Sequence, residues 1–310
     1  MSDRLPAATS IGHVHLRVSD LERALAFYCD LLGLHQVKRE ADTAFLSASG
    51  GPPYHLLLTG QPRARPKPPR TTGLYHMAIR LPSRQALART LRHLLAGEWR
   101  FQGFSDHKVS EALYLLDPDR NGLELYADRP REQWPREDGQ IGMGTDPLDV
   151  EDLLREVDQD SEPWTGIDPR TEIGHVHLHV SDLAKAEAFY AGLLGLDVTQ
   201  RSYPGALFLS AGGYHHHLGL NTWAGVGAPP PPGDATGLAS YAFRFPDRES
   251  WQGLMSGLKE AGVKVESWPE YEYAASALIR DPDGHGVELV VEDVRVLLQH
   301  PPRYGRHRRR

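Results

Sequence analysis

The sequence predicts an α+β protein of four βαβββ units, paired into two similar domains that are each a curved mixed sheet with helices outside. Residues 11–34 recur 162 positions later as residues 173–196, and the segment LLDPDRNGLELYAD at 115–128 recurs from residue 279 as IRDPDGHGVELVVED. Each half also contains a weaker internal repeat, in which alternating apolar residues lead into a capped helix and then into short strands. These repeats predict the four units.

Each element follows from a local pattern. Unit 1 opens with the alternating segment IGHVHLRVSD, after which Ser19 or Asp20 can cap a helix over Leu21–Leu32. Unit 2 opens with GLYHMAIRL, after which Ser83 can cap a helix over Arg84–Leu95. Short strand-like segments follow both helices: LHQVKRE, TAFLSAS and YHLLLTG in unit 1, and ALYLLD and GLELYAD in unit 2.

The domain boundaries follow from the repeat and from composition. We expect an N-terminal domain at 1–128, built from units 1 and 2 and carrying the catalytic site, and a C-terminal domain at 171–297, built from units 3 and 4. Residues 129–170 between them are polar, acidic and rich in proline, which is typical of a linker. The basic residues 298–310 form a tail.

Composition narrows the class of protein. The chain has 310 residues, a net charge of −7 and a single cysteine, Cys29. The charge makes nucleic acid an unexpected partner, and one cysteine excludes a disulfide scaffold. Apolar runs fall short of the roughly 20 residues that span a bilayer. We therefore expect a cytoplasmic protein that binds neither nucleic acid nor membrane. Histidine is frequent, with 16 residues.

Several of these histidines lie where a metal ligand would lie. His13 and His76 occur in the opening strands of units 1 and 2, and Glu124 occurs between Leu123 and Leu125 in the last strand of unit 2. A carboxylate in a buried strand is costly unless it is paired or bound to a cation. Two imidazoles and one carboxylate with open positions favour divalent iron or manganese. The alternative, hydrogen-bonded core histidines and a solvated glutamate, remains open from the residues alone.

The motifs resemble the vicinal oxygen chelate superfamily, which includes glyoxalase I, bleomycin-resistance proteins and type I extradiol dioxygenases. The resemblance covers nearly the whole chain. The stretch from His107 through Tyr114 to Glu124 is similar to the extradiol dioxygenase signature, from which Ser105 and Arg120 depart. The chain most resembles two-domain catechol 2,3-dioxygenases.

That resemblance implies an Fe(II)-dependent enzyme, with Mn(II) as the alternative ion, that cleaves a small aromatic diol beside its hydroxyls and incorporates both atoms of O2. It also implies a homo-oligomer. The residues that match the family's functional positions are His13, His76 and Glu124 as metal ligands, His107 and Tyr114 as residues that contact substrate oxygens and dioxygen, and His55 as an acid/base group.

The two halves differ at these positions. In the repeat, His76 corresponds to Ser240, His107 to Tyr271 and Tyr114 to Leu278, so the residues favour the N-terminal half as catalytic. Larger extradiol dioxygenases usually bind the metal in the C-terminal half, which favours a second candidate site. Its residues are His175, His215, His217 and Glu288.

Two other functions fit the same scaffold. A glyoxalase-type isomerase typically uses four protein ligands, one of them a carboxylate from the strand before the second unit, where this chain has His55 and leucines. An antibiotic-sequestering binding protein needs no metal. Measurement of bound metal separates the binding protein from the enzymes.

Overall fold

A computed structural model describes residues 4–157, 163–266 and 273–292 of the chain. The predicted tail 298–310, the predicted domain end at residue 297 and Tyr271 lie outside the described residues. No helix within the described ranges combines the length and apolar character needed to cross a bilayer.

The predicted units 1 to 3 are confirmed, and the described residues of unit 4 contain its helix and three of its four predicted strands. Unit 1 contains β1 (Ser10–Val18), α1 (Leu21–Leu25) with a π-helical turn (Ala26–Leu31), β2 (His35–Glu40), β3 (Thr43–Ser47) and β4 (Leu56–Gly60). Unit 2 contains β5 (Gly73–Leu81), α2 (Arg84–Ala96), β6 (Phe101–Asp106), β7 (Ser110–Leu116) and β8 (Gly122–Asp128).

The second half repeats this order after a connecting segment. That segment contains a 3-10 turn (Arg131–Gln133), β9 (Arg136–Glu137), β10 (Gln140–Ile141), β11 (Asp146–Pro147) and α3 (Val150–Leu154). Unit 3 contains β12 (Glu172–His179), α4 (Leu183–Glu187) with a π-helical turn (Ala188–Leu193), β13 (Asp197–Gln200), β14 (Ala206–Ser210) and β15 (Leu218–Asn221). The described part of unit 4 contains β16 (Gly237–Phe245), α5 (Arg248–Glu260), β17 (Tyr273–Arg280) and β18 (Gly286–Glu292).

The helices begin at capping side chains. Asp20, rather than Ser19, caps α1 by accepting a hydrogen bond from the backbone N–H of Arg23, and Ser83 caps α2 by accepting from Ala86. These bonds satisfy amide groups that have no partner within the helix. The predicted single helix over 21–32 is a short α-helix that continues as a π-helical turn and ends before Gly33, whose φ is +78°.

Consecutive units are joined through the repeated DPD turn. The hydroxyl of Tyr28, in the π-helical turn of unit 1, donates a 2.9 Å hydrogen bond to Asp117 of unit 2, and the hydroxyl of Ser19 donates to Asp119. In the second half, Tyr190 donates a 2.8 Å bond to Asp281. This contact explains why the motif is repeated in both halves.

The sheets, however, combine the units in a different way from the expected domains. Sheet I has the strand order β17-β18-β16-β1-β4-β3-β2 and joins unit 1 to unit 4. Sheet II has the order β11-β6-β7-β8-β5-β12-β15-β14-β13 and joins unit 2 to unit 3. The assignment of one complete sheet to 1–128 and another to 171–297 was therefore wrong, because each sheet takes strands from both halves of the chain.

The physical reason lies in the opening strands. Each unit offers one edge of its opening strand to another unit, and the pairs that form are both antiparallel, β1 with β16 and β5 with β12. Because the four opening strands share one apolar pattern, that pattern does not distinguish one partner from another. Apolar residues of all four units then form one continuous core.

This exchange of units predicts that neither half of the chain folds alone. A fragment of residues 1–128 keeps the Tyr28–Asp117 contact but leaves the edges of β1 and β5 without their partners. Separately expressed, we expect the fragment to aggregate or to lack a cooperative thermal transition by circular dichroism. Mixing it with the fragment 129–310 should restore one. A monomeric 1–128 fragment with a cooperative transition contradicts this prediction.

Candidate metal centre

Three ligand-type side chains converge where β8, β5 and β12 lie side by side in sheet II. Glu124 of β8 and His175 of β12 both pair with Ala78 of β5, one from each side. Residues paired across strands point to the same face, as do residues two apart in one strand, so His76 shares that face. Because Ala78 has only a methyl group, Glu124 and His175 can meet above it.

The distances within this triad are short. Nε2 of His76 lies 3.0 Å from Oε2 of Glu124, and Nε2 of His175 lies 3.2 Å from the same oxygen. All three ligand atoms lie within 4.8 Å of one another, and the three residues are buried. Ligand atoms bound at about 2.1 Å and at right angles to one ion lie about 3 Å apart. The spacing therefore fits one divalent ion.

The electrostatics also favour metal binding. Burial opposes ionisation of Glu124, but His175 and His76 outweigh it and hold the pKa of that carboxyl well below its usual value. Burial lowers the pKa of His175 to about 4, against the opposing effect of Glu124. A carboxylate beside a neutral imidazole is the state that ligates. Nε2 of His76 is buried and has no hydrogen-bond partner of suitable geometry, as expected of a nitrogen that needs a cation.

A glycine next to His175 shapes the site. The pairing of β12 with β5 shifts register between Ile173 and His175, at Gly174. A Cβ atom on Gly174 would lie 1.7 Å from the hydroxyl oxygen of Tyr126. The repeated Ile-Gly-His sequence thus gives Tyr126 room beside the ligand strand.

His107 and Tyr114 lie beside the triad, in the same cavity. Tyr114 pairs with Glu124 across β7 and β8, and its hydroxyl oxygen lies 2.6 Å from Nε2 of His107. Nδ1 of His107 lies 2.6 Å from the carbonyl oxygen of Gly144, which can only accept. Burial and the Glu124 carboxylate raise the pKa of Tyr114 well above its usual value, so Tyr114 stays a hydroxyl.

The sequence prediction did not place His216 in the site. His216 lines the cavity, its ring centroid lies 4.0 Å from that of His175, and burial lowers its pKa well below the usual value. The alternation of side chains along a strand predicted that His216 points to the face opposite to that of His215 and His217. The run precedes β15, which begins at Leu218, so alternation does not apply to it. The run of three consecutive histidines at 215–217 was the signal in the sequence that could have identified His216.

The cavity has a volume of about 530 Å³, which lies within the range typical of small-molecule sites. Four aromatic side chains other than Tyr114 line it: Tyr75, Tyr203, Phe208 and Trp223. Glu124 is the one charged carboxylate among the described residues that line it, and none of those residues is lysine or arginine. A bound molecule would therefore meet both aromatic rings and the triad with its neighbouring histidines.

Other predicted residues lie elsewhere. His13 was wrong as a partner of His76 and Glu124: it lies in sheet I, where its Nε2 is 3.1 Å from Oε2 of Glu288. Ser240 donates a hydrogen bond to that glutamate. Sheet I thus repeats the triad positions, with serine in place of His76. The exchange of units explains the error, because it pairs β5 with β12 and not with β1.

The proposed second site and the acid/base role of His55 also differ from the structure. Nδ1 of His55 accepts a hydrogen bond from the backbone of Ala48, outside the cavity, and Nδ1 of His217 accepts from Ala211 in the same way. His215 binds Asp128 rather than a shared ion site, with Nε2 2.9 Å from the carboxylate. Of the second set, only His175 belongs to the triad, so the candidate centre takes ligands from both halves of the chain.

Comparison with known proteins agrees with this architecture. A family model described as the Glyoxalase/Bleomycin resistance protein/Dioxygenase superfamily matches residues 10–125 and 172–289. The catechol-2,3-dioxygenase of Bacillus subtilis (strain 168) is 45% identical over 282 residues, which cover 88% of this chain and 94% of that protein. The biphenyl-2,3-diol 1,2-dioxygenase 3 of Rhodococcus globerulus is 28% identical over 121 residues, 39% of this chain and 63% of that one.

Solved structures share the fold. A putative dioxygenase from Bacillus subtilis superposes with a TM-score of 0.63 at 15% identity, covering 94% of this chain and 86% of that one. Glyoxalase I from Zea mays superposes with a TM-score of 0.56 at 18% identity, covering 95% of this chain and 97% of that one. At these identities the likeness concerns the fold alone.

The geometry predicts which residues hold a divalent metal. Changing His76 or His175 to Ala, or Glu124 to Gln, removes one member of the triad. We expect each change to weaken anaerobic iron(II) binding by more than about 100-fold. Loss of a residue that only hydrogen-bonds a ligand typically costs about 10–100-fold, and loss of the ligand itself should cost more. Equilibrium dialysis with metal analysis measures this. The control is His13→Gln, in the matching position of sheet I, which should keep wild-type affinity. Loss of metal in the control, with retention in His175→Ala, contradicts the assignment.

Proposed function

Because the chain belongs to the glyoxalase, bleomycin resistance protein and dioxygenase superfamily, we propose that it is an iron(II)-dependent extradiol dioxygenase. It cleaves the ring of a catechol-type diol beside the two hydroxyls, adds both atoms of O2 and yields a muconic semialdehyde. The observation that carries the proposal is the convergence of His76, Glu124 and His175 on one face of sheet II, at the floor of an aromatic cavity. The likeness to a catechol-2,3-dioxygenase supports the same reaction.

His76, Glu124 and His175 would hold the ion. Two imidazoles and one carboxylate leave positions open for substrate and favour iron(II), with manganese(II) as the alternative. Bound iron would supply the redox chemistry that joins dioxygen to the aromatic ring. One negative ligand leaves positive charge at the site, which attracts the catecholate form of the substrate.

His107 and Tyr114 hold and move a proton at the substrate oxygens. Nδ1 of His107 donates a hydrogen bond to the carbonyl oxygen of Gly144, and with one hydrogen on the ring Nε2 accepts from the hydroxyl of Tyr114. If a proton is transferred to Nε2, the bond reverses and Tyr114 becomes free to donate to a substrate oxygen. A group of this kind contributes typically about 10²–10⁴ in rate.

His216 takes the acid/base role that the resemblance implied for His55. Its ring lies over that of His175 at the edge of the cavity, and it is neutral because burial lowers its pKa well below the usual value. A neutral imidazole beside the ligands can accept the proton that a catechol loses on binding. His55 has no access to this cavity and its Nδ1 is already bonded.

The proposal predicts iron-dependent oxygen uptake. Protein loaded anaerobically with iron(II) and mixed with catechol in aerated buffer should consume O2 and form a yellow product. His76→Ala should abolish both signals. Ser240→Ala, which changes the matching position of sheet I, should leave turnover near that of the wild type. An oxygen electrode with parallel absorbance spectra provides the measurement. Metal-loaded wild-type protein that neither consumes O2 nor opens the ring rejects the proposal.

The cavity also predicts the kind of ring substituent. Among the described lining residues there is no lysine or arginine to pair with a carboxylate on the substrate ring. Burial of an unpaired ion costs several kcal/mol. We therefore expect kcat/KM for 4-methylcatechol to exceed that for 3,4-dihydroxybenzoate by about 10²-fold or more. The methyl ester of 3,4-dihydroxybenzoate lacks the charge, so its kcat/KM should be close to that of 4-methylcatechol. Equal values for the acid and its ester contradict this prediction.

A further inference from the structure

We propose that Asp128 and His215 are positioning residues that fix the hydrogen of His216 on Nδ1 and leave its Nε2 free to accept from a bound molecule. The inference rests on the proposed function of the cavity, and it adds two residues that are not ligands in the triad and do not line the cavity. It is carried by an unbroken chain of hydrogen bonds that runs from His216 to Asp128.

The chain has two short links. Nδ1 of His216 lies 2.8 Å from Nδ1 of His215, and Nε2 of His215 lies 2.9 Å from Oδ1 of Asp128. The side chain of His215 is fully buried, whereas that of Asp128 is 22% exposed. The chain therefore leads from the inner wall of the cavity, through one buried ring, to a carboxylate that reaches solvent.

The direction of these bonds follows from the atoms. An ionised carboxylate has no hydrogen to give, so Nε2 of His215 must donate to Asp128. In this proposal the His215 ring carries one hydrogen, which lies on Nε2, so Nδ1 of His215 accepts. A hydrogen bond between two ring nitrogens needs one hydrogen, so Nδ1 of His216 donates. Nε2 of His216 then carries a lone pair, and it takes no part in the hydrogen bonds between His216, His215 and Asp128.

Other contacts hold Asp128 ionised and in place. Its Oδ2 accepts a hydrogen bond from Arg80 at 3.2 Å and one from the hydroxyl of Tyr214 at 3.0 Å. Burial opposes ionisation, but His215, Arg80 and Tyr214 together lower the pKa of Asp128 below its usual value. Arg80 also pairs with Glu172, which makes no contact with His215.

Comparison of the two halves distinguishes this chain of hydrogen bonds from contacts that only stabilise the fold. In sheet I, Arg244 pairs with Glu292 at 3.1 Å, in the positions that Arg80 and Asp128 occupy in sheet II. The arginine–carboxylate pair therefore belongs to both sheets. The positions of His215 and His216, by contrast, hold Pro53 and Tyr54 in the other half. The histidine pair is present only in the sheet that has the complete triad.

The test is Asp128→Asn, which keeps the shape of the side chain but gives it an amide that can donate. In this variant the amide oxygen can accept from Arg80 and Tyr214 while the NH2 group faces His215, which reverses both histidine bonds. Metal-free protein with nitrogen-15 in its histidines reports the tautomers, and the His216 signals are assigned by their loss in His216→Gln. We expect hydrogen on Nδ1 of His216 in the wild type and on Nε2 in Asp128→Asn.

In the iron-loaded enzyme, the same change should lower kcat by about 10²–10⁴-fold, while metal content and KM for catechol stay at wild-type values. The matched control is Glu172→Gln, which removes the other partner of Arg80 without touching His215 and should change neither tautomer nor kcat. Hydrogen on Nε2 of His216 in the wild type overturns the proposal. So does a loss of kcat in Asp128→Asn without tautomer reversal, since that shows a structural role.

The wild-type tautomer decides the question even if Asp128→Asn does not fold. Failure of the tautomer test leaves ring cleavage by the wild-type enzyme unaffected, so the two proposals fail separately.

Discussion

The antiparallel pairing of β5 with β12 is the interaction on which the candidate centre depends. It places Ala78 between Glu124 and His175 and sets His76 two residues away on the same face. No single unit contains the three ligands, and neither half of the chain does. The site forms only when a strand from each half completes sheet II. Any slip of one residue in this register would turn His175 away from Glu124, because side chains alternate along a strand.

Much of the fold could be predicted from the sequence, since its signals are local. The order of elements, the caps at Asp20 and Ser83, and the strand position of Glu124 follow from neighbouring residues. The position of His107 and Tyr114 near Glu124 could be predicted because one short motif contains all three residues. The partner of His76 was not predictable in this way. The opening strands of units 1 and 3 share the sequence IGHVHL, so His13 and His175 were equivalent by local pattern, and only long-range pairing separates them.

The two sheets share a structural frame but differ in the side chains at the triad positions. Both keep a buried glutamate beside a histidine of the Ile-Gly-His segment, Glu288 with His13 and Glu124 with His175. In sheet I, the hydroxyl of Ser240 donates to the glutamate where sheet II has an imidazole. Sheet I also lacks the histidine pair found at 215 and 216. What remains in common is the frame: the DPD contact, the capped helices and the arginine–carboxylate pair.

The polar groups of sheet II are costly in the folded chain without a cation. Glu124 is buried, and buried Nε2 atoms of His76 and His177 have no hydrogen-bond partner of suitable geometry. An ion that binds the assembled triad and not the unfolded chain stabilises the fold by its binding free energy. Because the triad takes residues from both halves, a bound ion would also stabilise the pairing of β5 with β12.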